Sequence, residues 1–120
     1  MPASLDDLSK RVLAFRDDRD WSQFHKPKDL ALALNIEAGE LAELFLWKTD
    51  EQTQAIGDDP VARAALADEL ADVLIYALLL ADRFAIDPSA AILAKLEKNA
   101  AKYPVHKAKG NAIKYTEYEG

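Results

Sequence analysis

The chain has 120 residues, half of them hydrophobic, with 4 Gly, 5 Pro and no Cys. Its length predicts a single domain, 1–120, and its composition favours helices over sheet. The lack of cysteine excludes a disulfide framework, a zinc–thiolate site and a thiol nucleophile. The net charge of −6 argues against binding a nucleic-acid polymer through a basic face.

No membrane segment or leader is expected. The N-terminal residues lack a basic stretch followed by an apolar one, so we expect no signal peptide. The longest apolar run, 70–81, contains Asp72 and is shorter than the roughly 20 residues that a membrane span needs. We therefore expect a cytoplasmic protein with no membrane partner.

Apolar residues at helical spacing predict four helices. They cover about 4–18, 29–47, 60–84 and 88–103. The third and fourth open on Asp59-Pro60 and Asp87-Pro88, an acid suited to the N-cap followed by proline at the first helical position. We expect a connection at 20–28 broken by Pro27, a loop at 49–58 and an aperiodic tail at 104–120. The pattern indicates an all-α, four-helix-bundle protomer.

Two carboxylate pairs interrupt helix faces that should be apolar. The second predicted helix carries an apolar stripe of Leu30, Leu34, Leu41 and Leu44. Glu37 falls inside this stripe and Glu40 lies at its edge, whereas Glu43 rotates away toward solvent. In the third helix Asp72, one turn after Glu69, interrupts an apolar run that we expect to be buried. A carboxylate in such a position is costly unless it is paired or bound to a cation.

The acid pairs predict a site for a hard cation. Pairs at i, i+3 converge when two helices pack side by side, and a divalent cation relieves both their repulsion and their burial. A di-iron bundle would need a histidine three residues after a ligating glutamate, and neither His25 nor His106 has that position. An all-oxygen ligand set favours Mg²⁺ or Mn²⁺.

One alternative is a non-catalytic helical oligomerisation module in which these acids form ion pairs with lysines of another subunit. A second is a metal-dependent nucleotide-binding regulatory module that retains the pocket but turns over poorly. Gly39 costs about 1 kcal/mol of helix propensity, so we expect a neighbouring helix or a ligand to approach closely there. The nearly continuous apolarity of the third helix predicts that a second subunit covers part of it.

Two segments in order carry a family resemblance. They are 37–48 (EAGELAELFLWK) and 68–76 (DELADVLIY). Together with 19–25 (RDWSQFH), 98–104 (KNAAKYP) and 114–117 (KYTE), they resemble the MazG-like nucleoside triphosphate pyrophosphohydrolases, most nearly the dCTP pyrophosphatase branch. The resemblance spans 15–117, nearly the whole chain.

The resemblance implies an all-α fold assembled as a homodimer or a dimer of dimers. It implies Mg²⁺-dependent conversion of a nucleoside triphosphate, dCTP or a modified dCTP, to the monophosphate and pyrophosphate. The implied metal ligands are Glu37, Glu40, Glu69 and Asp72. In the mechanism that we expect, one of these acids orients the attacking water, and Glu40 is the candidate. The implied nucleoside pocket has Trp21, Trp47 and Tyr76, and the implied phosphate-facing end has Asn99, Lys102 and Tyr103.

One position departs from the family pattern. The dCTP-type pattern has a histidine on the first helix where this chain has Val12. Its loss removes a polar contact from the substrate pocket, so we expect the base preference to differ while the chemistry is retained. For His25, on the connection, we expect a local structural hydrogen bond.

Overall fold

The computed structural model describes residues 2–119, and these residues contain helices and no strands. The six α-helices are α1 (Leu5–Asp18), α2 (Pro27–Glu43), α3 (Asp50–Gln54), α4 (Pro60–Arg83), α5 (Pro88–Lys102) and α6 (Val105–Ala108). Short 3₁₀ turns cover Ser22–Phe24, Ala55–Asp58 and Tyr115–Glu117. The all-α prediction is confirmed, and the four predicted helices correspond to α1, α2, α4 and α5.

Side-chain caps explain where three of the long helices begin. Ser4 and Asp7 form a capping box at the start of α1. Asp59 and Asp87 each accept hydrogen bonds from the first backbone N–H groups of α4 and α5, ahead of a proline at the first helical position. The predicted Asp-Pro openings are therefore found at both helices.

The predicted bounds of the second helix are wrong at both ends. Pro27 does not break a connection: it is the first residue of α2, where its missing N–H has no helical partner to lose. At the other end α2 stops at Glu43, not Trp47. Trp47 has a φ of 63°, a left-handed conformation that a continuing helix excludes.

The predicted loop and tail both contain short helices. Within 49–58, Thr49 and Gln52 form a capping box that starts α3, and a 3₁₀ turn follows. Within 104–120, the structure has α6 and the turn Tyr115–Glu117. Helices this short show too few turns for hydrophobic periodicity to reveal them.

The chain divides into two compact units, Met1–Ile86 and Asp87–Gly120, and the single domain over 1–120 stays a prediction. In the first unit α2 packs along α4, and α1 and the turn Ala55–Asp58 also contact α4. Its buried core is small: Leu30, Ile56 and Leu79. In the second unit Tyr103 packs edge-on against Tyr115 and Tyr118, with ring centroids 5.7 and 5.9 Å away.

Much of the apolar run in α4 is not buried within one chain. Leu70 and Leu74 are 48% and 58% exposed, against the burial predicted for this run. Gly39, where a close approach was expected, has open space around it: a Cβ there would meet nothing within 4 Å. Among the described residues, no helix is both long and apolar enough to cross a membrane.

Candidate functional site

Three carboxylates from α2 and α4 converge where the two helices pack together. One oxygen each from Glu37, Glu40 and Glu69 lies within 4.8 Å of the other two. Glu37 and Glu40 are one turn apart on α2, so the helical repeat places both on the side that meets Glu69. The convergence predicted for these three acids is therefore present.

The cluster is short of positive charge and of hydrogen-bond donors. Oε2 of Glu37 and Oε2 of Glu69 are buried without a hydrogen-bond partner. None of the ion pairs seen among residues 2–119 involves Glu37, Glu40, Glu69 or Asp72. Within one chain, therefore, the structure does not show the alternative in which these four acids pair with lysine or arginine.

Burial and mutual repulsion raise the pKa of two acids in the cluster. Loss of solvation, then hydrogen bonding to Glu40 and the charges of Glu40 and Asp72, raise the pKa of Glu37 to about 7. Loss of solvation and the charge of Glu40 also raise the pKa of Glu69. A divalent cation supplies the missing positive charge and takes up the two unpartnered oxygens, so this donor set fits one.

A cavity of about 640 Å³ lies in the first unit, between α1, α4 and the two residues that flank the first 3₁₀ turn, Trp21 and His25. Its walls are mainly apolar and include Val12 and Phe15 of α1 together with Ile75 of α4. Asp72 lines this cavity and also acts electrostatically on Glu37 and Glu69. Asp72 therefore joins the cavity to the carboxylate cluster.

Trp21 and Tyr76, predicted to bind the nucleoside, both line this cavity. The Trp21 ring packs edge-on against Phe15, with centroids 5.9 Å apart, and the Arg19 guanidinium lies 3.6 Å from the Phe15 ring centroid. Tyr76 follows Asp72 by one helical turn on α4. An apolar cavity with aromatic walls and a few polar groups is typical of a small-molecule site.

The other predicted contacts lie elsewhere in the chain. Trp47 is not among the residues that line the cavity, and its side chain is 93% exposed. Asn99 and Lys102 belong to α5 and Tyr103 caps it, all in the second unit. There the Lys102 ammonium lies 5.1 Å from the Tyr115 ring centroid. A substrate role for these four residues stays a prediction.

Several residues that line the cavity were not predicted from the sequence to be part of the site. His25 lines the cavity, and its Nδ1 is buried without a hydrogen-bond partner, so the expected local side-chain bond is not seen there. Burial and the charges of Arg16 and Arg83 lower the pKa of His25, which favours the neutral form of the ring. Arg16 also lines the cavity. The sequence did carry a signal for two of the polar residues that line the cavity. Arg11 and Arg16 flank the apolar stripe of α1.

A family model describes most of this architecture. The MazG-like family matches residues 32–118, which include all four predicted metal ligands. The chain belongs to the MazG-like family. The resemblance seen in the sequence is thereby confirmed.

Relatives with known names share nearly the whole chain. It is 48% identical to dCTP pyrophosphatase 1 of Homo sapiens over 114 residues, which cover 95% of this chain and 67% of the relative. For dCTP pyrophosphatase 1 of Bos taurus the identity is 47%, covering 95% of this chain and 68% of the relative.

A solved structure shows the same fold. The crystal structure of a pyrophosphatase from Archaeoglobus fulgidus superposes with a TM-score of 0.75 at 38% sequence identity. The match covers 87% of this chain and 95% of that one. This MazG-like chain thus shares its fold with a pyrophosphatase.

Proposed function

We propose that this MazG-like protein is a Mg²⁺-dependent nucleoside triphosphate pyrophosphohydrolase. It converts dCTP, or a modified dCTP, to the monophosphate and pyrophosphate. The observation that carries the proposal is the cluster of unneutralised carboxylates joined through Asp72 to an apolar cavity with aromatic walls. The relatives named dCTP pyrophosphatase 1 support the reaction and the cytosine nucleotide as substrate.

Glu37, Glu40, Glu69 and Asp72 would hold the metal, and carboxylate oxygens are ligands suited to Mg²⁺ or Mn²⁺. When bound, the cation would neutralise the triphosphate and polarise its phosphorus–oxygen bonds. Because Oε2 of Glu37 and of Glu69 has no donor within the chain, these two atoms are the first candidates for ligation.

The cavity sets the direction in which the substrate binds. Its apolar walls receive the nucleoside, with Trp21 available to contact the base and Tyr76 close to Asp72 in the helix. The triphosphate then extends past Asp72 toward the acidic cluster. A substrate held in this way presents its phosphorus atoms to water beside the carboxylates.

Glu40 is the exposed member of the four acids, whereas the others are half-buried. It is therefore the acid that water reaches most easily, and we assign to it the orientation of the attacking water. The family resemblance also implies Lys102, with Asn99 and Tyr103, at the phosphate end of the substrate, where a cation balances developing negative charge; this role stays a prediction.

A second copy of the chain completes the proposed enzyme. Exposed apolar side chains on both long helices, such as Ile36 of α2 and Leu70 of α4, need cover that one chain does not supply. Trp47 lies outside the cavity of its own chain, so a role for it in nucleoside binding requires the cavity of a second copy. We propose a homodimer or a dimer of dimers, located in the cytoplasm, with no nucleic-acid or membrane partner.

The test is a panel of dNTPs incubated with Mg²⁺, with release of pyrophosphate and of the monophosphate measured together. We expect dCTP or a 5-substituted dCTP to be turned over, and Glu40→Ala or Asp72→Asn to abolish turnover. Absence of turnover with every nucleotide and with both Mg²⁺ and Mn²⁺ would refute the proposal. Thermal stabilisation by nucleotide without turnover would then favour a regulatory nucleotide-binding module.

A further inference from the structure

One arginine joins the end of α4 to the turn that carries Trp21. Arg83 is the last residue of α4. Its Nε donates a hydrogen bond to the backbone oxygen of His25 at 2.7 Å. Its guanidinium also donates to the backbone oxygen of Ser22 and, at 3.0 Å, to the Ser22 hydroxyl. One planar fork of donors thus holds both ends of the turn Ser22–Phe24.

The other contacts of this turn are local. It contains three residues, and its N-terminal end has no side-chain cap. Gln23 Nε2 donates to the backbone oxygen and to the carboxylate of Asp20, each at 3.0 Å, and α2 begins two residues after His25. The N-terminal side of the turn follows directly from α1, where the Trp21 N–H donates to the oxygen of Arg16 at 3.1 Å. On its C-terminal side, the Arg83 bonds are the long-range polar contacts that the structure shows among the described residues.

A second arginine, Arg16, connects α1 to α4, whereas Arg83 binds the turn itself. Arg16, with a side chain 11% exposed, binds Asp82 at 2.9 Å and so ties α1 to α4. This pair acts on the helix that precedes the turn. Arg83 acts on the peptide groups of Ser22 and His25, which flank the turn.

We infer that Arg83 is a positioning residue for nucleoside binding. By holding the turn on the end of α4, it keeps Trp21 and His25 on the wall of the cavity, since both residues line it. Arg83 itself is not among the residues that line the cavity. The inference rests on the proposed function for its kinetic consequence, whereas its structural part stands independently.

The hydrogen bonds of Arg83 predict how strongly each variant at this contact should loosen the turn. Glutamine at position 83 is too short to span both carbonyls, so Arg83→Gln frees the turn. Lysine keeps the charge but offers a single ammonium in place of a fork, so Arg83→Lys retains part of the restraint. Ser22→Ala removes the hydroxyl acceptor alone and leaves both carbonyl contacts. Arg63→Gln, an exposed arginine near the other end of the same helix, is the matched control.

The experiment combines fluorescence with kinetics. In a Trp47→Phe background, with tryptophan excited selectively over the 4 Tyr, the emission comes from Trp21 alone, because the chain has 2 Trp. We expect acrylamide quenching of Trp21 to increase about 2-fold in Arg83→Gln as the turn loosens. We expect KM for dCTP to rise about 10-fold while kcat stays within about 2-fold. This pattern is expected when a variant loses binding energy that the ground state and the transition state share equally. In both measurements Arg83→Lys should lie between the parent and Arg83→Gln, and Arg63→Gln should match the parent.

Two results would overturn the inference. One is unchanged Trp21 quenching in Arg83→Gln, and the other is a loosened Trp21 with an unchanged KM. A melting temperature measured for each variant ensures that only folded protein is compared. If the parent turns over no nucleotide, the proposed function fails, and Trp21 quenching alone then decides whether Arg83 positions the turn.

Discussion

Individual carboxyl groups decide how the site responds to pH. The raised pKa of Glu37, about 7, means that the metal-free cluster retains a proton near neutral pH. Burial and the charges of Glu40 and Asp72 are the cause. A cation must displace this proton before the carboxylate can ligate it.

We therefore predict that Mg²⁺ binds more tightly as the pH rises. Below the pKa of Glu37 the proton competes with the metal, so Kd should be about tenfold weaker at pH 6 than at pH 8. The metal-free protein should change in the opposite direction. Because the folded state keeps a proton that the unfolded chain has released, its stability should fall as the pH rises from 4.5, the ordinary pKa of a glutamate, through about 7.

Calorimetric titration of Mg²⁺ at pH 6, 7 and 8 checks this, with thermal melts of the metal-free protein beside it. Glu37→Gln should weaken binding at every pH and remove the contribution of this proton. Glu43→Gln changes an exposed residue at the end of the same helix and should leave the pH dependence intact. A Kd independent of pH in the parent protein would contradict the assignment of Glu37.

Val12 predicts the base selectivity. It lines the cavity with an aliphatic side chain where the family pattern has a histidine. An apolar wall discriminates weakly between bases, whereas a wall that hydrogen-bonds the substrate rejects an analogue lacking the matching group. We expect Val12→His to raise the ratio of kcat/KM for dCTP over dTTP by about tenfold, the effect of one hydrogen bond of roughly 1.4 kcal/mol.

Competition between the two nucleotides in one reaction measures this ratio directly. Val12→Leu, which changes size without adding a donor, is the control and should leave the ratio close to that of the parent. An unchanged ratio in Val12→His would show that position 12 does not read the base.

The amino-acid sequence could predict the carboxylates of the site but not the residues that surround the adjoining cavity. Helical phase alone separates Glu37, which the structure places in the cluster, from Glu43, which is exposed. The same phase cannot reveal that His25 meets the cavity or that Arg83 reaches the turn. Those contacts join residues 58 and 61 positions apart in the chain and depend on how α1 and α4 pack.

At the level of elements, two helices end in the same way. After α1 the N–H of Trp21 bonds the oxygen of Arg16, and after α4 the N–H of Ile86 bonds the oxygen of Ala81. In each case the preceding residue is left-handed: Asp20 has a φ of 54° and Ala85 a φ of 52°. This is a Schellman arrangement, in which glycine is the preferred left-handed residue.

Ala85→Gly should therefore stabilise the protein. Glycine relieves the strain of a left-handed alanine, which costs roughly 1–2 kcal/mol, but it also makes the unfolded chain more flexible. We expect a net gain of about 0.5–1 kcal/mol in the free energy of unfolding. Urea denaturation measures this gain.

The same substitution within α4 is the matched control. Ala65 is exposed and helical, so Ala65→Gly should destabilise by about 0.5–1 kcal/mol. A loss of stability in Ala85→Gly equal to that in Ala65→Gly would contradict the strain assigned to position 85. The predicted ends of these helices, 18 and 84, agree with Asp18 and, to within one residue, with Arg83, although an aspartate and an alanine stand where a glycine would have signalled the end.

For the whole molecule, the exposed apolar surface predicts self-association. Ile36 is 60% exposed on α2 and Leu70 48% exposed on α4, and surface of this kind is stabilised when another chain covers it. The helical periodicity predicted that α4 needs cover, but it could not predict which residues one chain leaves uncovered. The small core of the first unit explains why a second copy would stabilise the fold.

We expect the protein to sediment as a dimer or tetramer and the pair of substitutions Ile36→Glu and Leu70→Glu to shift it toward the monomer. Neither residue lines the cavity. Arg63→Glu, which changes an exposed residue of α4 that is already charged, is the control and should not change the assembly. A parent protein that is monomeric at all concentrations would contradict the proposed assembly.

The reaction that we propose for the carboxylate cluster is hydrolysis of dCTP to dCMP and pyrophosphate. Phosphorus-31 NMR of dCTP with Mg²⁺ tests it most directly, because one spectrum separates pyrophosphate, phosphate, dCMP and dCDP. We predict equal growth of dCMP and pyrophosphate with the parent protein, slowed on the order of 100-fold in Glu37→Gln. Formation of dCDP with phosphate, or equal rates for the parent and Glu37→Gln, would contradict it.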